Sequence, residues 1–312
     1  MSPRARAPLP GSIRSTSFRT DDVGFHGLTR GRLAGSDLQR PFAGVRSVAL
    51  DLESMRGRCI AYEPLLRPGE AFSHTSAAAL YGLPLPVAAE RGRLHVSSPP
   101  GVARARSRGV VGHEHSRPLP KQPVHGLPVV PVVLAWCQLG ALLDLHDLVA
   151  CGDAIVSSPR MRAGRRARLG TVDDLRAAIV EWGRRPGAGA LRRAVESVRP
   201  GVDSRPESLL RLLILEAGLE EPAIGPPIVL RDGRVLHPDL AWLRARVAFE
   251  YEGDRHRTDA RRWRSDIRRR EDLEDAGWRV VRVTWDDLTT DRAAFGARIR
   301  RLVGARELAG PG

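Results

Sequence analysis

The chain has 312 residues, 50 Lys+Arg against 36 Asp+Glu, and a formal net charge of +14. This length accommodates two domains with cores of their own and argues against disorder throughout. The positive excess favours a polyanionic partner, nucleic acid first, because neutralised phosphates release counterions.

A coding bias toward Arg, Ala, Gly and Pro is the competing source of that charge, since Lys121 is the only lysine. Cys59, Cys137 and Cys151 stand apart with no CxxC pair, which predicts a protein of a reducing, cytoplasmic compartment. No run approaches the roughly 18 to 20 apolar residues of a membrane span, and the N-terminus lacks the apolar centre of a signal peptide. A cytoplasmic protein with no membrane partner is therefore expected; oligomeric state is not legible.

Residues 1–45 are rich in Arg, Gly, Pro and Ser and read as a basic arm, with a weak helical pattern at 28–38. A helix is predicted over 47–66, then a short helix that Ser73 caps and Gly82 stops. Strands are predicted at 93–97 and 110–115, and helices at 132–143 and 146–156 by apolar residues at three- and four-residue steps. The segment 157–170 reads as a basic loop. Residues 171–199 read as helix broken by Arg184-Arg185-Pro186-Gly187, and Pro200-Gly201 as a domain boundary.

Beyond it, Ser204 opens a helix with an apolar face of Leu209, Leu210, Leu213, Ile214 and Ala217, ended by Gly218. Residues 228–230 and 235–242 flank Asp232-Gly233 as a hairpin, and 247–252 form a third strand. A helix over 259–276 stops at Gly277; a strand at 278–284 and a helix at 292–303 close the chain. The six tryptophans, Trp136, Trp182, Trp242, Trp263, Trp278 and Trp285, lie in apolar patterns and are expected in cores.

Chemistry concentrates in the C-terminal third. Strand alternation sends Val247, Phe249 and Tyr251 to one face and Ala248, Glu250 and Glu252 to the other. If Asp239 shares that second face, three carboxylates converge. Two of them about 6 Å apart repel by roughly 2 to 3 kcal/mol at an effective dielectric near 20, and a hard divalent ion such as Mg²⁺ or Mn²⁺ turns that repulsion into a site.

His256, four residues beyond Glu252, is a candidate for proton transfer. Glu207 has two readings: a further metal ligand, or half of a Ser-x-x-Glu capping box with Ser204. A closing turn at Asp239 and a solvated strand face at Glu250 and Glu252 are the corresponding plain alternatives.

Eight arginines lie between Arg255 and Arg270. Arg255, Arg257 and Arg261 are placed to hold phosphates, whereas Arg269 or Arg270 is expected to pair with Asp266 at helical spacing. His113-x-His115 has no third ligand near it in sequence and is not expected to bind metal.

These residues carry a resemblance. Glu207, Pro238-Asp239, Phe249-Glu250-Tyr251-Glu252-Gly253-x-x-His256, Asp266-x-x-Arg269, Leu273 and Gly277-Trp278-x-Val280 together resemble the PD-(D/E)XK nuclease superfamily, nearest its very-short-patch-repair (Vsr-like) branch. The resemblance implies an α/β chain whose C-terminal part, 201–305, is a restriction-endonuclease-like αβββαβ(α) core, with 306–312 as a tail. It implies that Asp239 and Glu250 ligate the metal, that Glu252 stands where the wider superfamily has lysine, and that His256 assists catalysis. It also implies a metal-dependent DNA endonuclease, a hydrolase of phosphodiester bonds.

The repair enzymes' structural zinc site is not implied, since no cysteine follows Cys151. Residues from about 45 to 160 loosely resemble the N-terminal portion of AbiE-type antitoxin-like proteins through the run from Ser73 to Pro84, which implies an antitoxin-like α+β domain with a helical connector over 46–200. The stretch 27–45 would be an incomplete helix-turn-helix. A catalytically inactive DNA-binding regulator that retains a nuclease fold is the alternative function.

Overall fold

A computed structural model describes residues 16–22, 27–158, 167–252 and 260–309, with residues 9, 24, 160, 161, 164 and 165. For 160, 161, 164, 165, 260–266 and 309 only the backbone is described. The protein is mixed α/β and divides into two compact units, residues 1–144 with 173–192, and residues 145–172 with 193–312. No helix among the described residues is long and apolar enough to cross a membrane.

In the first unit, β1 (Ser17–Arg19) pairs antiparallel with β2 (Val45–Ser47). Two 3-10 turns lie between them, at Thr20–Asp22 and Arg30–Ala34. Phe18 and Leu38 bury themselves against Leu28, Leu33 and Val48. From residue 16 on, the described part of the segment expected to be an arm or an incomplete helix-turn-helix contains a small strand pair with its own apolar cluster. The helix expected from Ser47 begins later, as α1 (Met55–Tyr62), because Ser54 is its cap and accepts from the Gly57 amide at 3.0 Å.

After β3 (Ala71–Phe72) come α2 (His74–Leu80), α3 (Val87–Glu90), β4 (Leu94–Ser98), β5 (Val110–Glu114), β6 (Gln122–Val124), β7 (Leu127–Val129) and α4 (Val132–Leu139). The strands form one sheet in the order β5-β4-β3-β7-β6. Phe72, Leu94, Val96, Leu127 and Val129 from it pack with Met55 and Cys59 of α1, Ala77 and Leu80 of α2, and Ala135 of α4. Gly82, at a φ of +70°, ends α2 as expected, with the Leu83 amide returning to the Ala78 carbonyl at 2.9 Å.

The chain continues through α5 (Leu145–Val156), the two-residue strands β8 (Arg160–Met161) and β9 (Gly164–Arg165), α6 (Val172–Trp182) and α7 (Ala188–Ser197).

The second unit is then built from α8 (Arg205–Glu216), β10 (Ala223–Ile224), β11 (Ile228–Val229), β12 (Val235–Leu236), β13 (Leu240–Trp242), β14 (Val247–Tyr251), α9 (Ala260–Asp275), β15 (Arg279–Val283), α10 (Trp285–Leu288) and α11 (Arg292–Ala309). Its sheet runs β10-β13-β14-β15; the first two pairings are antiparallel, and β15 joins β14 in parallel after α9. The predicted strand 235–242 is two strands, since His237-Pro238 interrupts it: β12 pairs with β11, and β13 belongs to the main sheet.

One sheet face, with Leu240, Trp242, Val247, Phe249, Val281 and Val283, packs on α8 through Leu210 and Leu213 and on α11 through Phe295 and Ile299. On the other face, Ala248 and Val280 meet Leu273 of α9. The alternation read from sequence therefore holds along β14.

Trp136 and Trp242 are buried as expected, but Trp285 is 40% exposed, with the Arg205 guanidinium 5.1 Å above its ring. Placed at the start of α10, it faces outward, where a cation stacks on it. The side chain of Trp263 lies outside the described residues.

Candidate functional site

The acids of the second unit are positioned by strand register. Leu240 pairs with Phe249 across β13 and β14, so one step further along the same antiparallel register sets Asp239 opposite Glu250, on one face of the sheet. The Tyr251 amide donates to Asp239 Oδ2 at 2.8 Å, which fixes that carboxylate at the strand end.

Glu207, in the first turn of α8, enters the same electrostatic environment. Burial, then the Asp239 charge, pushes its carboxyl up to about 8. Burial likewise raises Asp239, to about 6, and Glu250 and Asp203 push in the same direction against the Tyr251 amide and Arg269. Such shifts are the mark of carboxylates held together out of water.

One turn along α8 from Glu207 lies a buried network. The Arg211 guanidinium, wholly buried, donates to Asp153 Oδ2 at 3.1 Å, Glu221 Oε1 at 2.7 Å and the Ser197 carbonyl at 2.6 Å. Asp153, on α5, also accepts from Ser208 Oγ and from the Arg199 amide, each at 2.7 Å. A buried charge bonded through both terminal nitrogens, though its Nε has no partner, ties α8 to α5 and to the Ser197 carbonyl.

The capping box expected at Ser204 takes another form. Ser204 makes no side-chain cap. Its hydroxyl donates to Glu207 Oε1 at 2.7 Å, and Glu207 Oε2 accepts the amide of Asp203 at 3.0 Å. Both bonds run toward the carboxylate, as suits an acid that needs donors where it is buried.

Arg269 or Arg270 was expected to pair with Asp266, whose side chain lies outside the described residues; Arg269 reaches across to the sheet. Its Nε donates to Glu250 Oε1 at 2.8 Å, and its Nη2 to the His237 carbonyl. The reason is the packing of Leu273 on Ala248: Arg269 lies one helical turn before Leu273, and Glu250 is the next residue on that face of β14. Arg270 pairs with Glu274 at 3.0 Å. Glu252, whose amide donates to the Val283 carbonyl at 2.8 Å, forms an ion pair with Arg282 of β15.

The structure thus brings together Glu207, Asp239 and Glu250, and gives Glu250 and Glu252 each an arginine. His256, Arg255 and Arg257 lie outside the described residues, as does the side chain of Arg261.

A second cluster, in the first unit, was missed from sequence. His95 on β4 and His113 on β5 face each other, Nδ1 to Nε2 at 2.9 Å, and the His74 ring stacks on His113 with centroids 3.8 Å apart. His115 instead meets the Arg117 carbonyl at 2.9 Å. Ser73, expected to cap α2, makes no side-chain cap; its hydroxyl lies 3.0 Å from His74 Nδ1. Burial, and then the neighbouring imidazoles, lowers His74 to about 2; burial and then His113 lowers His95 to about 4.

Among the described residues this is the group of three whose ligand atoms all lie within 4.8 Å of one another. The three carboxylates of the second unit are not drawn that close.

Two proteins of Mycobacterium tuberculosis are similar to this chain: uncharacterized protein MT2308 of strain CDC 1551 and uncharacterized protein Rv2248 of strain H37Rv. Each is 26% identical over 235 residues, spanning 75% of this chain and 82% of the relative. No family model and no solved structure matches the chain.

Proposed function

We propose that the second unit is a divalent-metal-dependent DNA endonuclease domain with a restriction-endonuclease-like core. The observation that carries this reading is the meeting of two buried carboxyls, Glu207 and Asp239, both raised toward protonation, with Glu250 across the strand pair. With the β11-β12 hairpin and the one-turn α10 set aside as insertions, the succession of α8, β10, β13, β14, α9, β15 and α11 fits the αβββαβ(α) order, and the net charge of +14 suits a phosphate backbone.

The donor chemistry fits the ion. Mg²⁺ takes oxygen ligands, keeps several waters and needs only one or two protein carboxylates. Asp239 and Glu250 would hold it, and Glu207 would tune the site or ligate through water, which suits carboxylates that do not all approach one another closely. When bound, Mg²⁺ or Mn²⁺ supplies charge for a phosphoryl oxygen and lowers the pKa of a water.

The chain's own residues do the rest. Tyr251 N–H and Arg269 aim the Asp239 and Glu250 carboxylates. Glu207, whose carboxyl is pushed into the physiological range, can hold or release a proton at its Oε atoms. Glu252 and His256 remain assigned to catalysis by resemblance, and Arg255, Arg257 and Arg261 to phosphate binding.

The test is nicking of supercoiled plasmid by the full chain in Mg²⁺ or Mn²⁺, with Asp239→Ala as control. Cleavage by the wild type alone is expected; equal cleavage by both proteins overturns the assignment. One observation favours a second reading, a DNA-binding regulator that keeps the fold as a scaffold: Glu250 and Glu252 already carry guanidinium partners. Salt-sensitive DNA binding without metal-dependent cleavage would select that reading, and no DNA affinity at low salt would count against both.

A further inference from the structure

We propose that His74, His95 and His113 of the first unit form a transition-metal site of the open, three-imidazole kind, suited to Zn²⁺. The site is separate from the acidic cluster, and the proposal does not rest on the nuclease reading.

Its geometry follows from the sheet. On the parallel pair β4 and β5, Ser97 lies opposite His113 and His95 opposite Val111, so His95 and His113 are diagonal neighbours on one face, with ring nitrogens 2.9 Å apart. His74, at the start of α2, lays its ring over both, with centroids 5.2 Å from His95 and 3.8 Å from His113. One nitrogen of each ring lies within 4.8 Å of the others. Nitrogens in a tetrahedral Zn²⁺ shell, each about 2.0 to 2.1 Å from the ion, are about 3.3 Å apart. Closing the cluster onto an ion therefore needs ring rotations that move ligand atoms by about an ångström.

Three further features hold the rings in place. His74 sits at a φ of +50°, a left-handed conformation that a histidine adopts only where its surroundings impose it. Here its amide is held by the buried Gln138 Oε1 at 2.9 Å. The Ser73 hydroxyl occupies His74 Nδ1, which leaves Nε2 to face the cluster, an outer-shell orientation of the type that metal-binding histidines use.

Gly112, next to His113, passes directly under residue 105: a Cβ there would lie 2.3 Å from the Ala105 carbonyl oxygen. That contact holds the 105 segment against β5 immediately beside His113.

Three neutral nitrogen donors without a thiolate or carboxylate select borderline metals such as Zn²⁺, Co²⁺, Ni²⁺ and Cu²⁺ over Mg²⁺ and Ca²⁺. Three protein ligands leave a coordination position for water or an anion. Positive charge nearby suits an anion there: Arg93 acts on His95 and Arg104 on His113, although Arg104 also pairs with Glu114 at 3.8 Å.

The experiment uses chelator-treated full-length protein. Co²⁺ is titrated while its visible d–d absorption is followed, and then displaced by Zn²⁺. One Co²⁺ per chain in a nitrogen-rich, four- or five-coordinate environment is expected, unaffected by a large excess of Mg²⁺ and unchanged in Asp239→Asn. His113→Gln and His95→Gln should each weaken binding by more than about 100-fold, and Ser73→Ala by about 10-fold.

Near-ultraviolet circular dichroism of the metal-free variants reports whether the unit remains folded. If His95→Gln alone misfolds, His113→Gln and Ser73→Ala carry the test. Absence of Co²⁺ and Zn²⁺ binding by the wild type, or equal binding by folded His113→Gln, overturns the proposal. Loss of binding in Asp239→Asn with retention in His113→Gln overturns it too, since the ion would then belong to the acidic cluster.

Discussion

Glu207 is the residue at which capping and metal binding make opposite predictions. Replacing it with Gln removes one buried charge and keeps the shape. At an effective dielectric near 20, carboxylates about 6 Å apart repel by about 3 kcal/mol, and Asp239 is the charge that acts on Glu207 after burial itself. Against this, the amide oxygen of Gln can keep only part of the pair of bonds that Glu207 accepts from Asp203 N and Ser204 Oγ. That loss costs about 1 to 2 kcal/mol.

In the absence of metal, Glu207→Gln should therefore stabilise the second unit by about 1 to 2 kcal/mol at pH 8. For roughly 150 residues this raises Tm by about 2 to 8 °C. The sign with pH follows from linkage. Because the folded carboxyl is raised from 4.5 to about 8, the folded state binds more protons between those values, and wild-type stability falls as pH rises through that window. The advantage of Gln should vanish below about pH 4.5 and be full above about pH 8.

Calorimetry with a chelator present, at pH 5 and pH 8, reads both effects. Saturating Mn²⁺ should then raise the wild-type Tm more than that of the variant, since binding to the folded state alone at about 100 times Kd contributes about 2.7 kcal/mol. A Glu207→Gln variant that melts lower than wild type at pH 8, with or without metal, would show that its bonds at the start of α8 dominate, and would refute the charge-cluster argument.

Other outcomes follow from the same contacts. Arg211→Met leaves Asp153 buried without its main cation and should cost about 3 to 5 kcal/mol, a drop in Tm of about 6 to 20 °C by calorimetry; adding Asp153→Leu should recover most of it. Arg269→Gln frees the Glu250 carboxylate beside Asp239 and should lower the Tm of chelator-treated protein by about 2 to 6 °C, with Mn²⁺ restoring more of it than in wild type; no greater restoration would mean that Glu250 does not ligate. Glu252→Gln breaks a largely exposed pair with Arg282, so stability should change by less than about 1 kcal/mol, while plasmid nicking should fall more than tenfold if Glu252 acts in catalysis.

The parts of the fold that were legible are those set by local periodicity. The apolar stripe of α8, the alternation along β14 and the stops at Gly82, Gly218 and Gly277, each at positive φ, depend on near neighbours and are written in consecutive residues. What was not legible depends on long-range packing. Arg269 bonds to Glu250, nineteen residues away on a strand, because Leu273 of the same helix packs on Ala248 beside it. His74, His95 and His113 share no motif spacing; a helix start and two parallel strands unite them. The short helix α10 was signalled by Thr284 and Asp287, which form a reciprocal capping box, but four residues carry no periodicity that would announce it.

The two clusters also differ in what they ask of a ligand. The acidic one is a set of oxygens whose mutual repulsion is partly relieved by Arg269 and Arg282, so an ion there must compete with cations already in place. A hard ion that keeps its waters can do so by binding between carboxylates without displacing a guanidinium, and affinity for it should be weak and sensitive to salt. The histidine cluster offers lone pairs instead of charge, so its affinity should depend on the identity of the metal far more than on ionic strength. Measuring Mn²⁺ and Zn²⁺ binding across a salt series on the same protein therefore separates the sites without any substitution: a steep salt dependence for the first and a shallow one for the second is the pattern that these charges require.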